Sequence, residues 1–374
     1  MGLKVFNRHI IHRKEDPLIL GLSTLKKGAF AVFSVGALVL GSGVANASPS
    51  DDGTREDQVV STAAPTSFND QYVPRSRSTD AGEADPRVID YWTQERIDNA
   101  IPADTFTSGN DYATREALPP TDTASPQRVL SDPVSGAVGK TKERSTRSVN
   151  NFSEVNGKIL FTNAKDGLDY MCSGSALNSH SKRLVITAGH CVHGGGKNGA
   201  WYKNWVFIPD YHYNHRLYGT FQAKTFTTFQ GWIDNGEGRL GFERDIAFVT
   251  TYTNASGQKV VDAVGGHGLR TGGSKNFDVT VFGYPGNLDG GERMWACWGR
   301  TTTHRWWLSS FPKITGCNFG GGSSGGPWLD DYSNSTGLGH VRSVTSFGSK
   351  DNSYNGGPYF DDAVMNLFNS TRND

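Results

Sequence analysis

The chain has 374 residues carrying 37 basic and 37 acidic side chains, so no whole-chain charge favours nucleic acid or an anionic membrane surface. Its length has room for two domains, yet only the part from about residue 150 onward is rich enough in large apolar residues to bury a core. All four cysteines, Cys172, Cys191, Cys297 and Cys317, lie in that part.

At the N-terminus, Lys26 and Lys27 precede an apolar, small-residue run over 28–44, followed by Ala45-Asn46-Ala47. A charged region, a hydrophobic region and an A-x-A site in that order predict a signal peptide cleaved after Ala47. The run is short for a spanning helix and is interrupted by Gly36, Gly41 and Gly43, so no stable membrane anchor is expected. Residues 1–47 are thus read as an N-terminal extension with a signal, and the product as secreted and extracellular. Export places an even number of cysteines in an oxidising compartment, where two disulfides form; four cysteines allow three connectivities.

Residues 48–147 are rich in Ser, Thr, Asp, Pro and Arg and carry few large apolar side chains. Burial there cannot offset ordering entropy, and the segment is read as a mostly disordered propeptide. Within it, the stretch from Arg87 through Trp92 to Ile97 has amphipathic spacing, which suits either a surface helix or a piece that packs on the enzyme. The basic, polar run over 140–147 suits proteolytic nicking, and the mature chain is expected to begin near Ser148, giving a domain over 148–374.

Beyond that point short runs rich in Val, Ile, Phe, Thr and Tyr, at 157–162, 183–187, 205–208, 246–251 and 279–284, are separated by Gly, Asn, Asp and Pro. That texture predicts an all-β barrel or sandwich. Residues 361–368, acidic at the start and apolar on one face, predict a short C-terminal helix.

Three motifs carry chemistry. Gly320-Gly321-Gly322-Ser323-Ser324-Gly325-Gly326-Pro327 surrounds a serine with glycines, which let the backbone turn sharply and aim N–H groups at a carbonyl oxygen. Ser324 is the candidate nucleophile, with the N–H groups of Gly322 and Ser324 as the candidate oxyanion hole. His190 follows the apolar run 184–187, and an imidazole has the basicity to take a serine proton near neutral pH. Asp245 opens the apolar run 246–249, where a carboxylate can orient that imidazole and stabilise its charged form.

Thr187-Ala188-Gly189-His190-Cys191, Asp245-Ile246-Ala247 and Gly322-Ser323-Ser324-Gly325-Gly326-Pro327 together resemble the signatures of trypsin-like serine peptidases, in that family's order. The resemblance extends from about residue 156 to the C-terminal helix and is nearest to secreted bacterial members, including the glutamyl-endopeptidase-like branch. It implies two six-stranded antiparallel β-barrels with the His190–Asp245–Ser324 triad between them, and disulfides Cys172–Cys191 and Cys297–Cys317. It also implies a specificity pocket walled by Asn318, Phe319, Thr345, Ser346, Phe347 and Gly348. Thr345 stands where glutamyl-specific relatives carry a histidine, and no acid stands at the pocket base, so a neutral or apolar preference is expected. Ser323 replaces the aspartate that vertebrate trypsins use in activation, so the prosegment is expected to inhibit or to assist folding instead.

The expected activity is therefore a secreted serine endopeptidase acting through an acyl-enzyme on proteins or peptides, a monomer with its own prosegment as partner. Two other readings are a catalytically silent homologue that binds protein in the cleft, and an esterase using the same triad. The letters of an α/β-hydrolase elbow are present at 322–326, but that elbow needs a following helix, which Pro327 and the glycines oppose. No cofactor or metal is expected: His193, His212 and His215 lack diagnostic spacing, and the run Asp234-Asn235-Gly236-Glu237-Gly238 lacks that of a calcium loop. The Trp306-Trp307 pair invites a check for exposure.

Overall fold

A computed structural model of the chain describes residues 54–68, 84–104, 124–136, 152–306 and 309–374. The signal-like leader, the basic run 140–147, the expected start near Ser148 and Trp307 lie outside them. The N-terminal stretches contain β1 (Val59–Ala63), α1 (Pro86–Tyr91), α2 (Gln94–Asp98), β2 (Ile101–Pro102), β3 (Arg128–Ser131) and β4 (Val134–Ser135).

The predicted apolar runs become β5 (Asn156–Thr162), β6 (Asp169–Leu177), β7 (Leu184–Thr187), β8 (Lys203–Pro209), β9 (Phe221–Phe229) and β10 (Ala247–Thr251). They pair in the order β9-β10-β7-β6-β5-β8, and β8 pairs back on β9, closing a barrel. Closure removes exposed edges and turns alternate side chains inward; Ile159, Phe161, Val185, Phe207, Phe226 and Phe248 fill it and are buried. The helices α3 (Gln230–Asn235) and α4 (Arg239–Glu243) connect β9 to β10. One register decides the chemistry: Ala247 of β10 lies opposite Thr187 of β7, which brings the residues just before β10 beside those just after β7.

The second half holds α5 (Val260–Val264), β11 (Gly265–Gly266), β12 (Gly268–Thr271), β13 (Asp278–Gly283), β14 (Trp295–Arg300), β15 (Thr302–Trp306), β16 (Ser309–Thr315), β17 (Pro327–Ser333), β18 (Leu338–Val344), β19 (Phe347–Gly348) and β20 (Tyr354–Gly356). It forms two sheets, β14-β13-β17-β18-β12-β3 and β15-β16-β20-β19, which make the second strand system of the fold. All pairings within the second half are antiparallel except β12 with β18. The terminal helix α6 (Asp362–Thr371) runs three residues past its expected end, and Asp361 caps it by accepting from the Ala363 N–H at 3.0 Å. Its Val364, Leu367 and Phe368 are buried, with Phe368 edge-on to Phe248 of the first barrel.

The N-terminal stretches pack on this body. β1 pairs antiparallel with β9, β2 parallel with β6, β3 with β12 and β4 with β11. Of the two options for 87–97, packing on the enzyme is the one found: Val88, Trp92, Ile97 and Ala100 bury themselves against Leu160, Met171, Val206, Ile208, Tyr211 and Tyr284. The Trp92 indole donates to Asn204 O at 2.6 Å, and Arg216 donates to Trp92 O at 2.8 Å. The strands β1, β3 and β4 were not expected from composition, because their partners are far away in sequence.

Candidate active site

His190 sits on the turn 189–191 directly after β7 and is buried together with Asp245. Its Nδ1 lies 2.7 Å from Asp245 Oδ2, while its backbone N–H donates to Asp245 Oδ1 at 2.7 Å. The carboxylate thus fixes both the ring and the chain that carries it. Gly189 makes this approach possible, since a Cβ there would lie 2.9 Å from Trp232 and 3.0 Å from Asp245 Oδ1. The Cys172–Cys191 disulfide ties the next residue to β6, and the Trp205 indole donates to Cys191 O at 3.0 Å.

Asp245 has a further partner. The Ser346 hydroxyl donates to Oδ2 at 2.6 Å, so a residue expected in the pocket wall instead holds the acid. Burial alone lowers the basicity of the His190 ring, but the Asp245 charge and hydrogen bond outweigh it, and the imidazole is held above its ordinary pKa of 6.5.

Ser324 is buried on a glycine-rich turn ahead of β17. Gly322 and Gly325 have φ of +87° and +80°, a conformation that favours glycine. The turn is clamped from several sides. Ser173 donates from its N–H to Ser324 O at 2.7 Å and from its hydroxyl to Gly322 O at 2.8 Å. Ser323 turns its hydroxyl onto Gly320 O at 2.7 Å, which is what occupies the place of the trypsin aspartate. Asn287 accepts from the Gly320 N–H and donates to Asn318 O, at 2.8 and 2.9 Å. The Cys297–Cys317 disulfide joins β14 to the start of this loop. Both disulfides pair as the resemblance implied.

Residue Ala103 reaches this centre from the N-terminal stretch. Its N–H donates to Met171 O at 2.9 Å, and its carbonyl oxygen accepts from the Gly322 N–H at 2.7 Å and from the Ser324 hydroxyl at 3.5 Å. The other ring nitrogen of His190, Nε2, is buried without a hydrogen-bond partner among the described residues. A cavity beside Ser324 is lined by Asp104, Phe319, Thr345, Phe347, Gly348 and Asn355. Two expected wall residues are absent from it: Asn318 is exposed at φ +56° and contributes only its carbonyl to Asn287, and Ser346 faces Asp245. Sequence inspection missed Ser346 as a partner of the acid, Asn287 as a clasp, and Ala103 and Asn355; none lies in a motif, and each is brought in from a distant strand or loop.

Two of the groups weighed as metal ligands have other partners. Asp234, in α3, accepts from Arg55 and Gln230, at 2.9 and 2.8 Å. His193 accepts from the Gly195 N–H at 3.0 Å through Nδ1. Trp306 is half-buried beside Phe242, whereas Trp298 on β14 is exposed, at 66%.

No protein-family profile and no curated protein matches the chain. Among solved structures, the chain is similar to the protease Anisep from Arthrobacter nicotinovorans, at 32% identity over 60% of this chain and 98% of that one, with a TM-score of 0.53. It is likewise similar to a thermostable serine protease, AL20, from an extremophilic microorganism, at 30% identity over 59% and 97% of the two chains, with a TM-score of 0.53. The chain belongs to the trypsin-like serine peptidases with the chymotrypsin fold. By class it is a hydrolase, a serine endopeptidase.

Proposed function

We propose that the protein cleaves peptide bonds with Ser324 as nucleophile, His190 as general base and Asp245 as the acid that orients it, through an acyl-enzyme. One observation carries this reading. Cys191, next to His190 in the buried Ser346–Asp245–His190 series, has its Sγ 3.6 Å from Ser324 O, so that series lies beside the turn whose Gly322 N–H and Ser324 hydroxyl share the Ala103 carbonyl oxygen. In the forward step His190 Nε2 takes the proton of the Ser324 hydroxyl as Oγ attacks a substrate carbonyl. The negative charge that forms on oxygen falls where the Gly322 N–H already binds a carbonyl, and the Ser324 N–H completes the pair. His190 then returns the proton to the departing amine, and water hydrolyses the ester by the same route. The α/β-hydrolase esterase reading loses its footing, because Pro327 opens strand β17 rather than a helix.

In this reading residues 48–147 are a prosegment of a secreted bacterial precursor, and the stretch 101–104 blocks the centre as an inhibitor rather than as a substrate. Its polarity supports that. In a productive substrate the pocket receives the residue that owns the attacked carbonyl; here the carbonyl is that of Ala103, whereas the residue at the pocket is Asp104. The prosegment therefore presents a carbonyl to Ser324 with its side chains out of step for cleavage.

The test is labelling with a fluorophosphonate probe, on the full chain and on the same chain nicked by limited proteolysis, beside Ser324→Ala. Labelling at Ser324 that rises on nicking, together with peptide cleavage lost in the variant, is the expected result. Folded, nicked protein that neither labels nor cleaves would favour a silent binding homologue.

A further inference from the structure

The cavity beside Ser324 contains an unanswered polar group. Asn355 is only 3% exposed, and its Nδ2 donates to Phe319 O at 2.9 Å. Because that partner can only accept, it settles which end of the amide is nitrogen. The remaining atom, Oδ1, is buried and has no hydrogen-bond partner among the described residues. A buried acceptor left unpaired is destabilising, and the cavity that Asn355 lines is where a partner can come from.

A second polar group lines the same space. Thr345 Oγ1 accepts from the Trp328 indole N–H at 3.0 Å, which leaves its own proton to donate. The walls contributed by the second strand system, including Phe319, Thr345, Phe347, Asn352 and Asn355, are all neutral; the carboxylate at the cavity belongs to Asp104 of the N-terminal stretch. An ammonium or guanidinium would enter without a counter-charge, and a carboxylate would meet the lone pairs of Asn355 Oδ1. A carboxamide presents one N–H donor set and one carbonyl acceptor, which complements the Asn355 oxygen and the Thr345 hydroxyl. With Asp104 in place the remaining space is about 10 Å³, the room of roughly one water, so a substrate side chain can enter only once the N-terminal stretch has left.

Resting on the reading of Ser324 as nucleophile, we propose that Asn355 is the specificity-determining residue, and that it selects substrates with glutamine or asparagine immediately before the cleaved bond. A pocket built to hydrogen-bond its ligand rejects an analogue that leaves the buried group unpaired far more strongly than a greasy slot rejects a shape.

The test uses the full chain activated by limited proteolysis and a peptide series differing only at that position: Gln, Asn, Glu, Met and Lys. The Gln or Asn peptide should be cut with kcat/KM at least about tenfold above Glu and Met. Asn355→Asp keeps size and acceptor, adds charge and removes the donor to Phe319 O, and should raise the Lys peptide at least about tenfold relative to Gln. Thr345→Val, which leaves Asn355 in place, should lower the Gln-to-Met ratio about tenfold. Fluorophosphonate labelling of each variant reports whether its site is assembled. Protein that labels at Ser324 but prefers Met or Glu, with an order unmoved by Asn355→Asp, overturns the assignment and leaves the catalytic reading standing. Absence of labelling and of all cleavage overturns both.

Discussion

Asp245 is the residue on which the proposed chemistry turns. It is fully buried, yet it accepts from the His190 N–H, the His190 ring and the Ser346 hydroxyl, so the charge is spread over three donors rather than stranded. Asp245→Asn keeps the shape but favours the wrong imidazole tautomer, and a fall in kcat of about 10⁴-fold is expected. The pH profile follows from the same contact. His190 must be neutral to act as base and is held above 6.5 in the folded protein, so kcat/KM should be lost as pH falls through a midpoint above 6.5. A midpoint at or below 6.5 would contradict the role given to Asp245. Lys158 is a second residue with much at stake: its side chain is fully buried, 2.8 Å from Glu292, with the Tyr211 ring 4.6 Å away. Burial lowers its pKa and Glu292 opposes this. Glu292→Gln would leave that ammonium uncompensated, and equilibrium unfolding in urea should show a loss of about 3–5 kcal/mol.

At the scale of elements, the N-terminal stretches add one strand to β9 and another to β6 and cover an apolar face with α1 and α2. Trp92 anchors that cover, fully buried and hydrogen-bonded in both directions. Large aromatic anchors of this kind are worth about 2 kcal/mol or more at an interface. In the uncut chain, Trp92→Ala is expected to speed fluorophosphonate labelling of Ser324 by about 30-fold, the same factor expressed as a population of open sites. An unchanged rate would mean that the hold of residues 101–104 on the centre is independent of the helices.

At the scale of the whole molecule, His193, His267 and His304 are buried, and burial disfavours their charged form. His267 lies with Nε2 2.9 Å from Asn156 Oδ1, while its Nδ1 accepts from the Gly339 N–H at 3.3 Å, so both ring nitrogens are committed to one neutral tautomer. Burial lowers its pKa to about 3, and that of His193 and His304 to about 4. The unfolded chain takes up these protons near pH 6.5 and the folded one does not, so their contribution is full above 6.5 and is lost as pH falls toward 4 and then 3. His190 runs the other way, its contribution fading as pH rises above its folded pKa. Urea midpoints of Ser324→Ala, chosen to prevent self-cleavage, should therefore drop between pH 6.5 and 4.5. A flat profile across that window would show these rings protonate in the folded state.

Features that depend on local chemistry were legible in the order of the residues. Apolar β-branched runs bounded by turn residues marked β5, β7, β8, β10 and β13 to within two residues at each end, and the acidic start of 361–368 marked α6. The three motifs named His190, Asp245 and Ser324 because a nucleophile, a base and a carboxylate each require a particular local setting: a glycine turn, a strand end, a strand entry. Tertiary structure alone decided what depends on distant partners. The Ala247–Thr187 register brings Asp245 to His190, the break between β18 and β19 leaves Ser346 on the acid, and the pairing of β20 with β19 accompanies the placing of Asn355 in the cavity that Ser324 also lines. The strands at 59–63 and 128–131 were illegible for the same reason. A short polar strand has little burial of its own, and its hydrogen bonds are supplied by an edge more than a hundred residues away.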